Sequence, residues 1–217
     1  MGVIEGVRQQ LRPGKLFIQG EWSESAEGRT IPVMNPATGE QLTTVPDAGP
    51  ADVERAVRAA RESFERKTWR GLDPSRRERI LWRVAELIER NAEELAVMES
   101  LETGKTVREA AAGDVAPAAD VFRYYAGWVR KIYGQTIPVD GPYLNYTMLE
   151  PVGVVAAMVP WNFPLQLAAW KTAPALACGC SMVLKPSEHT PLTALKLAEY
   201  FLEAGMPDGA LNVLTGY

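Results

Sequence analysis

The sequence predicts an α/β protein, with an N-terminal helical region followed by the first half of a Rossmann-like parallel sheet, small β-hairpins and an oligomerisation strand. Three patterns support this prediction. Apolar runs alternate with helical segments in residues 152–217, amphipathic helical patterns fill residues 47–134, and residues 1–46 hold a short helical start followed by short β-prone pieces. Residues 135–151 alternate like an exposed strand, so we divide the chain into these four ranges.

The C-terminal range has a β-α-β-α-β order. We predict strands at residues 152–159, 181–185 and 211–214, separated by helices at about 164–177 and 191–204. Strands that alternate with helices favour a parallel sheet with right-handed crossovers. The first strand is an apolar run, which predicts that both of its faces are covered. Three strands alone would leave an apolar sheet edge uncovered.

Four helical patterns precede the sheet. In residues 50–68 the apolar residues keep i, i+3, i+4 spacing, and the predicted buried stripe is Val53, Ala56, Val57, Ala60 and Phe64. Asp73-Pro74 is typical of a helix start and Gly104 of a helix end. The last pattern, residues 115–133, carries a mostly aromatic stripe that we interpret as core packing rather than a ligand site: Val121, Tyr124, Tyr125, Trp128 and Ile132.

Two further segments are β-prone. Residues 15–46 contain three short pieces separated by turn residues, which predicts small hairpins that must pack on another part of the protein. Residues 135–151 alternate bulky and polar side chains, the pattern of a strand with one exposed face. An exposed strand pairs readily with another chain, so we expect a homo-oligomer.

Composition limits the possible functions. The chain has 217 residues, a formal net charge of −4, 47% hydrophobic and 23% charged residues, as in ordinary globular proteins. It has no basic footprint for nucleic acid, and clusters such as Arg76-Arg77-Glu78-Arg79 are interpreted as solvated helix faces. No run approaches the ~18 apolar residues of a membrane span, and the first residues lack the apolar core of a signal peptide. We therefore expect a cytoplasmic protein without a membrane or nucleic-acid partner, and without a metal site.

The segment PWNFP, residues 160–164, is the first candidate for chemistry. It follows a predicted buried strand, and open α/β sheets bind ligands at the carboxyl ends of their strands. Asn162 offers an uncharged N–H donor in a proline-flanked turn, which suits stabilisation of an oxyanion. The alternative is an asparagine that bonds its own turn backbone.

A second candidate group follows the next strand. Lys185 and Glu188 would lie at the rim where a dinucleotide binds, with a carboxylate that accepts from ribose hydroxyls and repels a 2′-phosphate. This favours NAD over NADP. The alternative is an ordinary helix cap and surface pair, in which Ser187 and Glu188 serve the start of the next helix. His189, the single histidine, is predicted to be exposed and is given no catalytic role.

These motifs resemble the first part of the NAD(P)-dependent aldehyde dehydrogenase family. The shared segments are MNPATGE, PWNFP, the Trp170-Lys171 pair, APALACG, KPSE, TPLTAL and EAGMPDGALNVLTG. The resemblance implies oxidation of an aldehyde to a carboxylic acid, with Asn162 as the oxyanion donor. It also implies that Lys171, which we expect to be buried, relays protons or supports the site; a structural ion pair is the alternative. Residues 135–151 correspond to a projecting arm that joins subunits.

The resemblance assigns further residues to cofactor and substrate. For the cofactor these are Met158, Val159, Pro160 and Trp161 on the nicotinamide side, Lys185, Ser187 and Glu188 at the ribose, and Gly216 towards the adenine. Phe163, Leu167 and Trp170 are implied to line the substrate tunnel, with core packing as the alternative.

The family's nucleophilic cysteine and catalytic glutamate come from segments after position 217. We therefore expect the catalytic domain to be absent and the chain alone to be inactive. Cys178 and Cys180 lie in an apolar stretch without a positive field, so neither is expected to be the nucleophile. Two alternatives remain: a non-catalytic nucleotide-binding or assembly module that pairs with the missing C-terminal half, and a related acyl-phosphate or semialdehyde reductase.

Overall fold

A computed structural model describes residues 2–217. The strands are β1 (Leu16–Ile18), β2 (Glu21–Ser23), β3 (Thr30–Met34), β4 (Gln41–Pro46), β5 (Thr136–Ile137), β6 (Asn145–Tyr146), β7 (Val154–Met158), β8 (Ser181–Lys185) and β9 (Leu211–Val213). The helices are α1 (Val3–Gln10), α2 (Pro50–Glu65), α3 (Pro74–Arg90), α4 (Ala92–Thr103), α5 (Val107–Ala110), α6 (Ala116–Ala126), α7 (Pro164–Ala177) and α8 (Leu192–Glu203). A π-helical turn, Ala111–Val115, joins α5 to α6.

The main sheet is mixed and has the strand order β2-β1-β9-β8-β7. As predicted, β7, β8 and β9 are parallel, and two helices connect them. β1 pairs antiparallel with β9, placing Phe17 opposite Val213. The N-terminal hairpin therefore occupies one of the edges that we expected to be uncovered, because a strand from the start of the chain supplies the missing backbone partner.

β7 forms the other edge of the sheet, and the prediction that the 152–159 run is covered on both faces is wrong. Val152 is 88% exposed and Met158 is 79% exposed, whereas Ala157 and Val159 are buried. An edge strand has a neighbour on one side only, so part of its apolar surface remains open.

Helix α2 buries a narrower stripe than predicted. Ala56 and Ala60 are fully buried, but Val53 and Val57 are 46% and 44% exposed. The helix packs against β8 and β9 through its alanines, whose small side chains allow close approach to the sheet, and this turns the two valines outward. Their predicted burial is therefore wrong.

The aromatic stripe after Val115 is also less buried than predicted. Phe122 is fully buried and its ring lies 5.5 Å from that of Phe201, whereas Tyr124 and Trp128 are 59% and 43% exposed. Helix α6 packs against α3 and α7 through the face of Phe122, so core packing is wrong for these two aromatic residues.

One arginine departs from the predicted solvated helix faces. Arg77 is buried, and its guanidinium donates hydrogen bonds to the carbonyls of Arg70 (3.1 Å) and Leu72 (2.8 Å). These carbonyls lie in the turn before α3, so the cation satisfies backbone acceptors that the folded chain keeps from water.

The β5–β6 hairpin is the most exposed part of the chain. Every residue from 133 to 150 is exposed, so both faces of the hairpin are open, where we predicted one. The strands are only two residues long and pack on no other element extensively. In the described part of the chain, no helix combines the length and apolarity needed to span a bilayer.

Trp69 links the segment after α2 to the end of α7. It is fully buried, and its Nε1 donates to the Leu176 carbonyl at 2.9 Å. We expect Trp69→Phe to lower the free energy of unfolding by about 1–3 kcal/mol, because a buried hydrogen bond and part of the ring volume are lost. Urea titration measures this. The matched variant Trp161→Phe, at a 58% exposed position, should change stability by less than about 0.5 kcal/mol, and equal losses would contradict the assignment.

Candidate active site

The candidate residues lie where two parallel strands end side by side. Met158, the last residue of β7, is opposite Lys185, the last residue of β8. The Val159 amide donates to the Lys185 carbonyl at 3.0 Å, which holds the two strand ends together. The Pro160–Phe163 turn and the Pro186–Thr190 loop therefore leave the sheet at the same edge.

Asn162 lies in the turn that connects β7 to α7. Trp161 and Asn162 are exposed, whereas Val159 before the turn and Pro164 after it are buried. The turn is thus flanked by two buried residues, Val159 and Pro164, and its middle is exposed to solvent. An exposed amide with buried anchors on both sides can donate a hydrogen bond to a ligand at the sheet rim.

The loop after β8 is held by short-range hydrogen bonds. The buried Ser187 hydroxyl accepts from the His189 amide (3.3 Å) and lies 3.4 Å from Glu188 Oε2. Lys185 Nζ donates to the Pro186 carbonyl at 3.3 Å. Lys185 and Glu188 are half-buried and close enough for the lysine charge to act on the carboxylate.

Glu188 is held in its charged form. The pKa of its carboxyl is lowered, first by a hydrogen bond from its own backbone amide, and then by the charges of His189 and Lys185. His189 Nε2 lies 3.2 Å from Glu188 Oε1. Sequence reasoning gave His189 no role in the site, yet its position two residues after Ser187 brings it to this carboxylate.

Neither Ser187 nor Glu188 caps the next helix, so the helix-cap part of that alternative is wrong, whereas Glu188 does pair with the exposed His189. Instead Glu102 of α4 accepts from the backbone amides of Leu192 (2.9 Å) and Thr193 (3.4 Å) at the start of α8. Ser187 and Glu188 precede the helix by several residues and bond within their own loop. The Glu188 carboxylate therefore does not serve as a helix cap.

The comparison with known proteins agrees with this geometry. Residues 22–217 match the description "Aldehyde dehydrogenase family". The chain belongs to this family.

Relatives of known sequence and structure support the assignment. The chain is 49% identical over 209 residues to human retinal dehydrogenase 2, covering 96% of this chain and 40% of that protein. It is 43% identical to an aldehyde dehydrogenase from Bacillus cereus solved as an NAD+ complex, with a TM-score of 0.94, covering 100% of this chain and 44% of that one. An indole-3-acetaldehyde dehydrogenase of P. syringae, solved with NAD+ and IAA, has 43% identity and a TM-score of 0.95, covering 99% and 43%. The chain spans about 40% of the length of the curated relatives it matches.

The helix after the Asn162 turn, α7, forms one wall of an open groove. Trp170 is 51% exposed and lines a groove of about 590 Å³ between α6 and α7. Other residues of the groove wall are Val115, Pro117, Val121 and Gln166. Sequence reasoning missed Gln166, although positions 163, 166 and 170 follow the spacing of one helix face.

Phe163 and Leu167, the other two predicted tunnel residues, lie elsewhere. Leu167 is half-buried and packs against the core, as the core-packing alternative expects. Phe163 is 38% exposed, and its ring lies beneath Lys105 with the ammonium nitrogen 3.9 Å from the ring centre. Of the three, Trp170 alone is among the residues that line this groove.

Lys171 is exposed, so the prediction that it is buried is wrong. Burial was inferred from the neighbouring Trp170, which is itself half-exposed because it lines an open groove. An exposed lysine needs neither a buried partner nor a neutral form.

Gly216 and the cysteines have structural explanations. Gly216 has a φ of 138°, and a side chain there would place Cβ 2.9 Å from the Ala48 amide nitrogen, so the close approach is to the chain's own backbone. Cys178 is exposed and Cys180 buried, and both are free thiols. The pKa of Cys178 is raised, mainly by burial of its sulfur, which disfavours a thiolate. Across residues 2–217, no group of three or more acidic, histidine or cysteine side chains is arranged for a metal ion.

Proposed function

We propose that the protein containing this chain oxidises an aldehyde to a carboxylic acid with NAD, and that the chain supplies the oxyanion donor and part of the cofactor site. The observation that carries the proposal is the pairing of Met158 with Lys185. This pairing brings the Asn162 turn and the Glu188 loop to one sheet edge, where open α/β sheets bind their ligands.

Asn162 is the proposed oxyanion donor. When a thiol adds to an aldehyde, the carbonyl oxygen gains negative charge, and an amide N–H that is already in position stabilises that charge. An uncharged donor does this without attracting a competing counter-ion. The thiol and the general base would belong to segments after position 217, as the family resemblance implies, so the isolated chain is proposed to be inactive.

Lys185, Ser187 and Glu188 are proposed to hold the ribose of the cofactor. The lowered pKa of Glu188 keeps a hydrogen-bond acceptor charged at neutral pH, and Lys185 supplies donors beside it. Met158, Pro160 and Trp161 are proposed to line the nicotinamide side, with Val159 contributing backbone only since its side chain is buried. Gly216 keeps its proposed place towards the adenine. NAD, when bound, supplies the oxidant for the aldehyde.

The open groove beside Trp170 is the proposed site for the hydrocarbon part of the aldehyde. Its wall includes Ala116, Pro117 and Val121, which offer apolar surface, whereas Glu89, Asp120 and Gln166 add polar groups. Phe163 and Leu167 do not line this groove, so their predicted place in a substrate tunnel stays a prediction. Lys171, which is exposed, is still proposed to support the site, as the family resemblance implies.

The exposed hairpin favours a homo-oligomer. Residues 133–150 present both faces of β5 and β6 to solvent, and backbone groups on a strand edge form hydrogen bonds with another chain readily. The same surface is the observation in favour of an assembly module, the second candidate function. The free thiols of Cys178 and Cys180 suit the proposed cytoplasmic location.

Glu188 provides the test of the cofactor assignment. We expect NAD to raise the melting temperature of the chain more than NADP does, and Glu188→Ala to weaken NAD binding about 10–100-fold, because a charge-assisted hydrogen bond contributes about 1.5–3 kcal/mol. Thermal-shift titration with each nucleotide measures both effects.

The matched control is Glu93→Ala, which removes an exposed carboxylate on α4 and should leave NAD binding unchanged. The ribose assignment is wrong if Glu188→Ala binds NAD as the unaltered chain does, or if the chain responds to neither nucleotide.

A further inference from the structure

Two buried glutamates on α4 face the N-termini of α7 and α8, the two helices that begin beside the sheet rim. Glu99 is 0% exposed and Glu102 is 3% exposed. They are three residues apart, so they lie on the same face of the helix. Glutamate is seldom fully buried unless it is paired, so each of these needs a reason to be there.

Each glutamate caps one of those helices. Glu99 Oε1 accepts from the Leu165 amide of α7 at 2.7 Å, and Glu102 Oε2 accepts from the Leu192 amide of α8 at 2.9 Å. The residues that precede these helices, Phe163 and Pro191, make no side-chain capping bond of their own within residues 2–217. Helix α4 thus satisfies backbone donors that the helix starts leave free.

A second buried carboxyl, that of Asp114, lies next to Glu99. Asp114 lies in the π-helical turn, is fully buried, and its Oδ2 accepts from Lys105 Nζ at 2.7 Å. Lys105 Nζ in turn lies 3.9 Å from the centre of the Phe163 ring. The network therefore contacts the chain directly after Asn162 at two points, the ring of Phe163 and the amide of Leu165.

The two carboxyl groups are matched to share one proton. Glu99 Oε2 and Asp114 Oδ1 are buried atoms without a hydrogen-bond partner in the described chain. Burial, together with the charge of Asp114, raises the pKa of Glu99 to about 9. A proton on Glu99 Oε2 gives each of these two oxygen atoms a hydrogen-bond partner. The other ionisable neighbours are Glu102 on the same helix and Lys105 beside Asp114, whereas α7 and α8 contribute the Leu165 amide and the Thr193 hydroxyl.

We propose that Glu99 is a positioning residue for Asn162: its carboxyl, supported by Asp114 and Lys105, fixes the start of α7 and the Phe163 ring, and thereby the end of the turn that carries Asn162. The functional meaning of this rests on the proposed role of Asn162 as an oxyanion donor. The positioning itself does not depend on that role, because it concerns only where the turn lies when no ligand is bound.

Amide NMR spectra of the 217-residue chain test the proposal. In a titration from about pH 6 to about pH 10, the backbone amides of Trp161, Asn162 and Phe163 and the side-chain amide of Asn162 should shift together with the Leu165 amide, with a midpoint near pH 9. In Glu99→Gln the shift should disappear while the neutral-pH spectrum stays the same. Glutamine keeps a carbonyl for Leu165 and donates an N–H to Asp114, as protonated Glu99 does.

Glu102→Gln is the matched control, since it alters the cap of α8 and not that of α7. It should remove the pH-dependent shift at Leu192, whose amide bonds to Glu102, and leave those of the Asn162 turn in place. The proposal is overturned if Leu165 titrates while the turn signals stay fixed, or if Glu99→Gln retains the turn titration. Since neither NAD nor aldehyde is present, a chain that fails to bind NAD can still pass this test, and one that binds NAD can fail it.

Discussion

Replacing Asn162 by alanine is expected to lower kcat for aldehyde oxidation by about 10²–10³-fold, the usual loss when one oxyanion donor is removed. The donor acts on charge that develops only in the transition state, so KM should change far less than kcat. Steady-state kinetics on the complete enzyme that contains residues 1–217 measure this. Because Asn162 is exposed, its loss should not alter the melting temperature.

Gln41→Ala is a suitable control because it removes another exposed carboxamide, from β4 and away from the rim. It should leave kcat unchanged. A loss below about fivefold in Asn162→Ala, or a loss confined to KM, would show that the amide does not stabilise the oxyanion.

The second large effect is a decrease in folding stability as the pH rises. The pKa values of Glu99 and Glu102 are raised from 4.5 to about 9 and about 8, chiefly by burial. Between the ordinary and the raised value, the folded chain holds a proton that the unfolded chain has released. The stability from each group is therefore complete below about pH 4.5 and is lost as the pH rises towards 8 to 9, by up to about 1.4 kcal/mol per pH unit for each group.

Urea unfolding at about pH 5 and about pH 8 should show a difference on the order of several kcal/mol. The double variant Glu99→Gln/Glu102→Gln removes both titrations, so its stability should change much less over this range. Glu109→Gln serves as a control: the pKa of this exposed carboxyl is lowered, first by the Thr106 hydroxyl, so it acts only at more acidic pH. A double variant as pH-sensitive as the unaltered chain would show that the buried carboxyls are ionised at neutral pH.

Local patterns predicted the elements that surround the rim. The helix from residue 164 to residue 177 was predicted at the bounds that the structure has, and all three parallel strands were found. Prolines and glycines mark these boundaries in the chain itself, so no distant contact is needed to find them. The positions of Asn162 and Glu188 beyond their strands followed from the same boundaries.

Burial was predicted less well, because periodicity finds an apolar face without showing what covers it. Three residues that follow or flank apolar stripes are nevertheless exposed, namely Val57, Trp128 and Lys171. In each case the neighbouring helix or strand packs against smaller or differently placed residues, such as Ala56 and Phe122. Tertiary packing decides which part of a stripe is used.

The network behind Asn162 could not be found from the pattern either. A charged residue in a helix usually indicates a solvent face, whereas Glu99 and Glu102 point to backbone donors far along the chain. The signal was their place among apolar residues in LAVMESLET, which makes a fully solvated face improbable.

The pairing of β1 with β9 also affects how the protein is made. Phe17 meets Val213 across the sheet, so the first strand has its inner neighbour only after about 200 further residues have been synthesised. At about 5–20 residues per second this delay is on the order of 10–40 s, during which an apolar hairpin edge is free beside the ribosome. The early hairpin is therefore exposed to chaperones and to other nascent chains until β9 has been made.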